Sequence, residues 1–273
     1  MILGRKIELI DRKEKIIDMK VDVSIIENFF QGKDEYTEHW LFNHILDNGE
    51  FAFEKPDSKQ RQMVNDMFRK VSTILNDFKP YNIIIFSTLF PLWKEVIRNV
   101  NIILAVGCPA PYDAMVREHD GKEYIIFDLI RILQYQKEGE DILSIIRKLI
   151  THEVAHICIH NEYPVWPMTY REKLAYITFD EGFAHILSFV EDITIYNFGS
   201  IMQKYYSNSI EQLKVALAEH DYEKQQKYLE SSNCGSYWSK FAAISGKLYL
   251  VSHLEEIYDI YKSGPAIMLS NMF

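Results

Sequence analysis

The stretch "LITHEVAHICIH", Leu149–His160, decides how the chain reads. Three histidines and a glutamate sit among residues suited to a protein core. On an α-helix, positions four apart are rotated by about 40° and lie about 6 Å apart along the axis. His152 and His156 therefore face the same way, and their imidazoles can converge on one ion. Glu153 projects about 100° from His152. It can reach a water on that ion without occupying a coordination position. The arrangement is HExxH, His152-Glu153-Val154-Ala155-His156. Neutral imidazole suits zinc, and a catalytic zinc site takes three protein ligands and keeps one position for water. The plainer alternative is a buried helix with two hydrogen-bonded histidines.

The third ligand has to come from elsewhere. A metzincin would need Gly three and His six positions after His156. Ile159 and Glu162 stand there, so that class is rejected. His160 lies eight residues from His152, about 12 Å along the axis. That is too far to share one small ion, and His160 reads as a helix-end histidine. Cys158 falls on a different face from His156 and reads as packing. Downstream runs "YITFDEGFAHILSF", Tyr176–Phe189. Here Glu181 opens an amphipathic run with Phe183, Ala184, Ile186, Leu187 and Val190, with Asp180 or Thr178 as the expected cap. A second helix packed antiparallel to the first can present the Glu181 carboxylate to the histidine pair. Gly182 beside it removes a side chain and permits close helix approach. The alternative role for Glu181 is to complement a helix dipole. His185, one turn on, reads either as a partner to a ligand or substrate, or as a core-edge histidine. Tyr237, in "GSYWSKFAAISGKLYL", is a candidate hydrogen-bond donor to a developing oxyanion, against simple packing. Lys240 and Tyr249 are weaker candidates for that role.

Around these motifs the sequence reads as α+β. "RKIELI" suggests a short strand, and Met19–Asp47 is expected to be helical. "PDSKQRQMVNDMFRKVSTILNDF" is a helix capped by Asp57 or Ser58, with Met63, Met67, Val71, Ile74, Leu75 and Phe78 on one face. "YNIIIFS" and "NVNIILAV" are β-branched runs that predict strands, with a short helix over "PLWKEVIRN" between them. Asp120-Gly121 is a hairpin-turn dipeptide between two alternating runs, so "YDAMVREHDGKEYIIFDL" predicts a hairpin. Beyond it "LIRILQYQ" is a helix, and Asp141 is the expected N-cap of the helix that carries HExxH. The rest of the chain reads as helical, apart from a Pro-interrupted "YPVWPMTY" loop placed over the cleft. The expected division is a sheet-bearing N-terminal lobe, 1–140, and a helical lobe, 141–273, meeting at the HExxH helix.

Composition narrows the function. The 273 residues are 48% hydrophobic with a formal net charge of -9, which fits a packed globular chain and gives no basic stripe for nucleic acid or an anionic membrane. Three scattered cysteines argue against a disulfide framework and for a reducing compartment. No apolar run has the length of a membrane span, and the charges in "MILGRKIELIDRKEK" do not suit a secretory signal. A cytoplasmic protein is the expectation.

His152-Glu153-x-x-His156 followed by "DEGFAH" resembles the gluzincin group of zinc metallopeptidases, the thermolysin and aminopeptidase N type, and within it the bacterial gluzincin-like branch. The specific likeness spans Ile150 to Val190. The aminopeptidases place their third ligand in an "NEGFA" segment; here it is "DEGFA", with Asp180 in place of Asn. The resemblance implies a zincin-like fold, Zn2+ held by His152, His156 and Glu181, and a peptide or protein substrate paired along a sheet edge, here Tyr112–Val116. It also implies Glu153 as the general base toward a metal-activated water. The aminopeptidases' GxMEN segment is absent, and "VGCPAPYDAM" lies in that region, so exopeptidase action is not implied. Two other functions stay open: a non-catalytic zinc-binding module, and a zinc hydrolase of non-peptide amides or esters.

Overall fold

A computed structural model describes residues 19–273 except 47, 138, 140 and 165–167. The expected strand at "RKIELI", part of "KEGED" and the centre of "YPVWPMTY" fall outside the described residues. The chain is α+β. Its elements are β1 (Lys20–Asp22), α1 (Ser24–Gln31), α2 (Arg61–Asn76), α3 (Ile83–Leu89), α4 (Trp93–Arg98), β2 (Asn101–Ala105), β3 (Ala114–His119) and β4 (Lys122–Asp128). They continue as α5 (Leu129–Lys137), α6 (Ile142–Glu162), α7 (Tyr170–Leu187), α8 (Gly199–Ile201), α9 (Ser207–Leu217), α10 (Tyr222–Asn233), α11 (Phe241–Ser252) and α12 (Ile257–Asn271).

The strands form one mixed sheet in the order β1-β2-β4-β3. β1, β2 and β4 run parallel, and β3 pairs antiparallel with β4 as an edge strand. The hairpin turn is where the dipeptide predicted it. Asp120 and Gly121 take φ of 50° and 69°, the doubly positive turn that matches the twist of two antiparallel strands. Ile102, Ile103, Leu104, Ile125, Ile126 and Phe127 are all buried, because helices cover the sheet. Asp141 caps α6 by accepting from the Leu143 N–H, as the sequence predicts. Asp57 caps instead a 3-10 turn, Ser58–Gln60, by accepting from the Lys59 N–H, and α2 itself starts after Gln60 with no side-chain cap.

Several expectations need correction. "YNIIIFS" is helix α3, not a strand. Its isoleucines are not a buried row, since Ile84 is 81% exposed while Phe86, Leu89 and Phe90 face inward at helical spacing. Asn82 begins that helix in the left-handed region, φ 48°. Its amide donates to the Leu187 and Phe189 carbonyls and its oxygen accepts from Ile193 N–H, contacts that no local propensity encodes. Met19–Asp47 is not one helix: Gly32, at φ 72°, ends α1, and two short 3-10 turns follow. In α2 the buried face is Val64, Met67, Val71 and Leu75, while Met63 is exposed.

Helix α7 begins earlier than predicted. Its cap is Thr169, in a reciprocal capping box with Glu172, not Thr178 or Asp180. Glu181 therefore lies in the third turn or later, far from the N-terminal dipole. One hydrophobic core runs from Met19 to Met268 through the sheet and the helices. α6 packs on β3, β4 and α7, and α7 packs on α11. The α7–α11 crossing is as close as backbones allow. A Cβ added at Gly246 would stand 1.8 Å from the Thr178 carbonyl oxygen, and one at Gly182 would stand 2.8 Å from the Gly246 backbone. That approach fixes the depth at which α7 presents Glu181. Among the described residues no helix is long and apolar enough to cross a membrane.

Candidate metal centre

Helix α6 is apolar on nearly every side: Ile146, Ile150, Val154, Ala155 and Ile159 are all buried. α7 matches it with Phe179, Phe183, Ala184, Ile186 and Leu187. Between them runs a seam of titratable side chains, His152, Glu153, His156 and His160 from α6, and Asp180, Glu181 and His185 from α7. Such groups are tolerated in an interior only when each has a partner or a ligand.

Of the predicted ligands, His152 lies near each of the other two. Among the described residues, however, His156 groups with His160 and Asp180 as a second set of donor atoms that could hold a metal, apart from the set of His152, Glu181 and His185. His152 Nε2 lies 3.0 Å from His156 Nε2 and 3.6 Å from Glu181 Oε2. Glu181 Oε2 in turn lies 3.4 Å from His185 Nε2, and its other oxygen accepts from Asn233 Nδ2 at 3.1 Å. His152, Glu181 and His185 each offer a ligand atom within 4.8 Å of the others. The sequence left His185 open between a partner to a ligand or substrate and a core-edge histidine; in the structure it is buried and stands among the candidate donor atoms.

These residues fit a zinc ion on chemical grounds. His156 Nδ1 contacts Asp180 Oδ1 at 2.8 Å, which leaves Nε2 as the ring atom that faces His152. A carboxylate behind a histidine is the usual support of a ligating imidazole. Burial, then the charges of His156 and Lys240, holds His152 well below the usual histidine range. Burial and then His152 do the same for His185. Both rings are neutral bases, the form that binds a metal. His185 Nε2 is buried without a hydrogen-bond partner, an orphan donor or acceptor that a ligand would satisfy. Burial alone would lower His156 as well, but the carboxylates of Asp180, Glu181 and Glu153 raise it to about 10. The same negative field favours a divalent cation.

Glu153 is 5% exposed. Burial pushes it up to about 7, against the lowering pull of His156 and with further upward push from Glu181 and Asp113. Such a carboxyl is poised to exchange a proton near neutrality.

His160 lies in the last turn of α6, the helix-end position expected, but both its ring nitrogens are engaged. Its Nδ1 lies 2.5 Å from Glu123 Oε1 on β4 and its Nε2 3.3 Å from Asp180 Oδ2. Those two carboxylates outweigh the effect of burial and raise it to about 9. The chain His156–Asp180–His160–Glu123 thus ties the seam to the sheet. The signal was present in the i, i+4, i+8 row of histidines on α6, but its partner on β4 is distant in sequence. Cys158 is a buried thiol, as expected. Tyr237 packs edge-on to His185 with ring centroids 5.1 Å apart, and its hydroxyl accepts from Lys247 Nζ at 2.8 Å. Neither partner of Tyr237 follows from its sequence neighbourhood. The third accessory candidate, Tyr249, contacts His253 instead, with rings 4.3 Å apart.

No family model, no curated protein and no solved structure matches this chain.

Proposed function

We propose that the chain is a zinc-dependent metallopeptidase of the gluzincin type, acting on peptides or proteins. The observation that carries this reading is the approach of Glu181 to the first HExxH histidine, with Glu181 Oε2 3.6 Å from His152 Nε2 and His152 Nε2 3.0 Å from His156 Nε2. His152, His156 and Glu181 would hold the ion. When bound, zinc supplies Lewis acidity and a water of lowered pKa. With the ion in place, Glu153 would accept a proton from water and return it to the leaving amine; its buried carboxyl suits both directions of transfer. Asp180 holds the His156 ring through Nδ1. Tyr237 stands at the wall of the site as hydroxyl donor to charge that develops on the substrate carbonyl. The edge strand β3, packed against α6, has an unpaired side on which an extended peptide can add. This edge strand beside the motif helix is the feature of the fold that favours a zincin-like layout.

A second reading has its own observation. His185 lies 3.4 Å from Glu181 Oε2, and a donor set closed by His185 would make a four-ligand, non-catalytic metal module. Metal analysis of the purified chain, followed by chelator-sensitive cleavage of a mixed peptide library, separates the two. Cleavage lost on chelation and restored by zinc supports the peptidase. Stoichiometric zinc with no turnover supports the module, and turnover confined to small amides or esters redirects the reading to a non-peptide hydrolase. A chain that binds no zinc overturns all three.

A further inference from the structure

Next to the histidine cluster lies a cavity of about 490 Å³, within the range of small-ligand sites. His185 forms one wall, so the cavity opens from the proposed metal centre. Tyr237, Trp238 and Phe189 form an aromatic lining, and Lys247 and Lys148 supply its cations. Trp238 is held in place by stacking on Tyr205, with ring centroids 4.0 Å apart and planes 3° apart.

Lys247 is the unusual member. It is 1% exposed, on helix α11 one residue past the Gly246 contact. Its Nζ donates to the Tyr237 hydroxyl at 2.8 Å and lies 4.7 Å from the centre of the Phe189 ring. Lys148 Nζ lies 5.6 Å from the centre of the Tyr237 ring. Neither lysine forms an ion pair among the described residues. The acidic lining residues, Asp141 and Glu191, are exposed, and Asp141 is engaged in capping α6. A buried ammonium normally has a carboxylate partner, because leaving it unpaired in a low-dielectric interior is costly. Here aromatic faces and one hydroxyl offset part of that cost, and a second cation adds to it. Two N–H groups of Lys247 remain for a ligand.

We infer that this cavity binds a carboxylate of the substrate, held by Lys247 and Lys148, beside the bond that is cut. The inference deepens the peptidase reading by naming its substrate class, anionic peptides, and rests on that reading only for the bond broken. The carboxylate can belong to an acidic side chain or to a peptide's C-terminus, since the lysines meet the same group in either case.

Three small probes test it by calorimetric titration of the zinc-loaded full chain. N-acetylglutamine amide has no carboxylate, N-acetylglutamate α-amide has only the side-chain one, and N-acetylglutamine has only the terminal one. At least one of the charged probes should bind about tenfold more tightly than the neutral probe, the worth of one charge-assisted contact. The side-chain probe winning means an acidic-residue subsite, and the terminal probe winning means a C-terminal one. Lys247→Met should bring the ratio close to one and Lys148→Gln should lower it severalfold. If Lys247→Met does not fold by circular dichroism, Lys148→Gln alone decides. Equal binding of all three probes to the wild-type chain, or a ratio untouched by either substitution that folds, overturns the inference. Carboxylate discrimination without peptide cleavage sinks the peptidase and leaves the subsite standing, whereas cleavage without discrimination does the reverse.

Discussion

The seam between α6 and α7 has two halves, and they differ in how their polar atoms are satisfied. In the half nearer the sheet, Asp180 uses both oxygens, one on His156 and one on His160, and His160 uses both ring nitrogens, on Asp180 and Glu123. In the half nearer the cavity, His152, Glu181 and His185 meet at 3.6 and 3.4 Å without a hydrogen bond among the three, and His185 Nε2, though near Glu181, has no hydrogen-bond partner. The two halves are one turn apart on the same helices and carry the same residue types. A saturated network has fixed geometry and nothing left to offer, so it holds its neighbours in place. An unsatisfied one is costly unless something else completes it. The two halves thus differ in how far their polar atoms are engaged, while each offers donor atoms that could hold a metal.

That contrast can be broken by experiment. The largest effect belongs to Glu153→Gln, which should retain stoichiometric zinc and lose kcat by about 10²–10⁴-fold; undiminished turnover would remove Glu153 from the mechanism. Next comes Glu181→Gln. Zinc affinity, read by competition with a chromophoric chelator, should fall about a hundredfold or more as a charged ligand is lost. An unchanged affinity would place the ion elsewhere and void the contrast. Asp180→Asn should weaken zinc by about 10–100-fold, the usual effect of removing the support behind a ligating histidine. Glu123→Gln, one link further out, should cost less than Asp180→Asn. Reversal of that order would mean the sheet-side half is more than scaffold.

Gly246→Ala addresses how the cavity-side half is positioned. Its new methyl meets the Thr178 carbonyl, and the loss of stability should be about 1–3 kcal/mol or more by denaturant titration. A neutral outcome would show that α11 can back away from α7. The smallest effect is a pH dependence at Lys247, which burial and then Lys148 lower to about 7 against the opposing pull of Glu191. Asp141, His185 and Tyr237 are the other titratable groups at the cavity wall. An amine whose pKa is lowered loses its charge as pH rises through that value, so binding of N-acetylglutamate α-amide should weaken severalfold on raising pH through about 7. Bound carboxylate stabilises the ammonium and moves the midpoint upward, and a flat profile from pH 6 to about 9 would detach Lys247 from the ligand.

Much of the site was legible because its members are close in sequence. The helical period alone put His152 and His156 on one face and kept Glu153 off it, and the glycine at 182 signalled a close helix crossing. The cap of α7 was also legible, as Thr169-x-x-Glu172; the cap-forming side chains of Thr178 and Asp180 just ahead of Glu181 drew the expected cap to the wrong place. The helix at "YNIIIFS" was not legible, since three consecutive isoleucines favour a strand locally. Anchoring of Asn82 to the end of α7 outweighed that preference.

The sequence by itself determined the ligand types, their spacing on α6, the hairpin and the α+β class, because each depends on residues within a few turns of one another. Only the tertiary structure decided that His160 meets Glu123 and Asp180, that His185 stands beside Glu181 and that Lys247 is buried near them. Those outcomes depend on which distant elements pack together, β4 on α6 and α11 on α7, and burial sets the charge state of a side chain only once that packing exists.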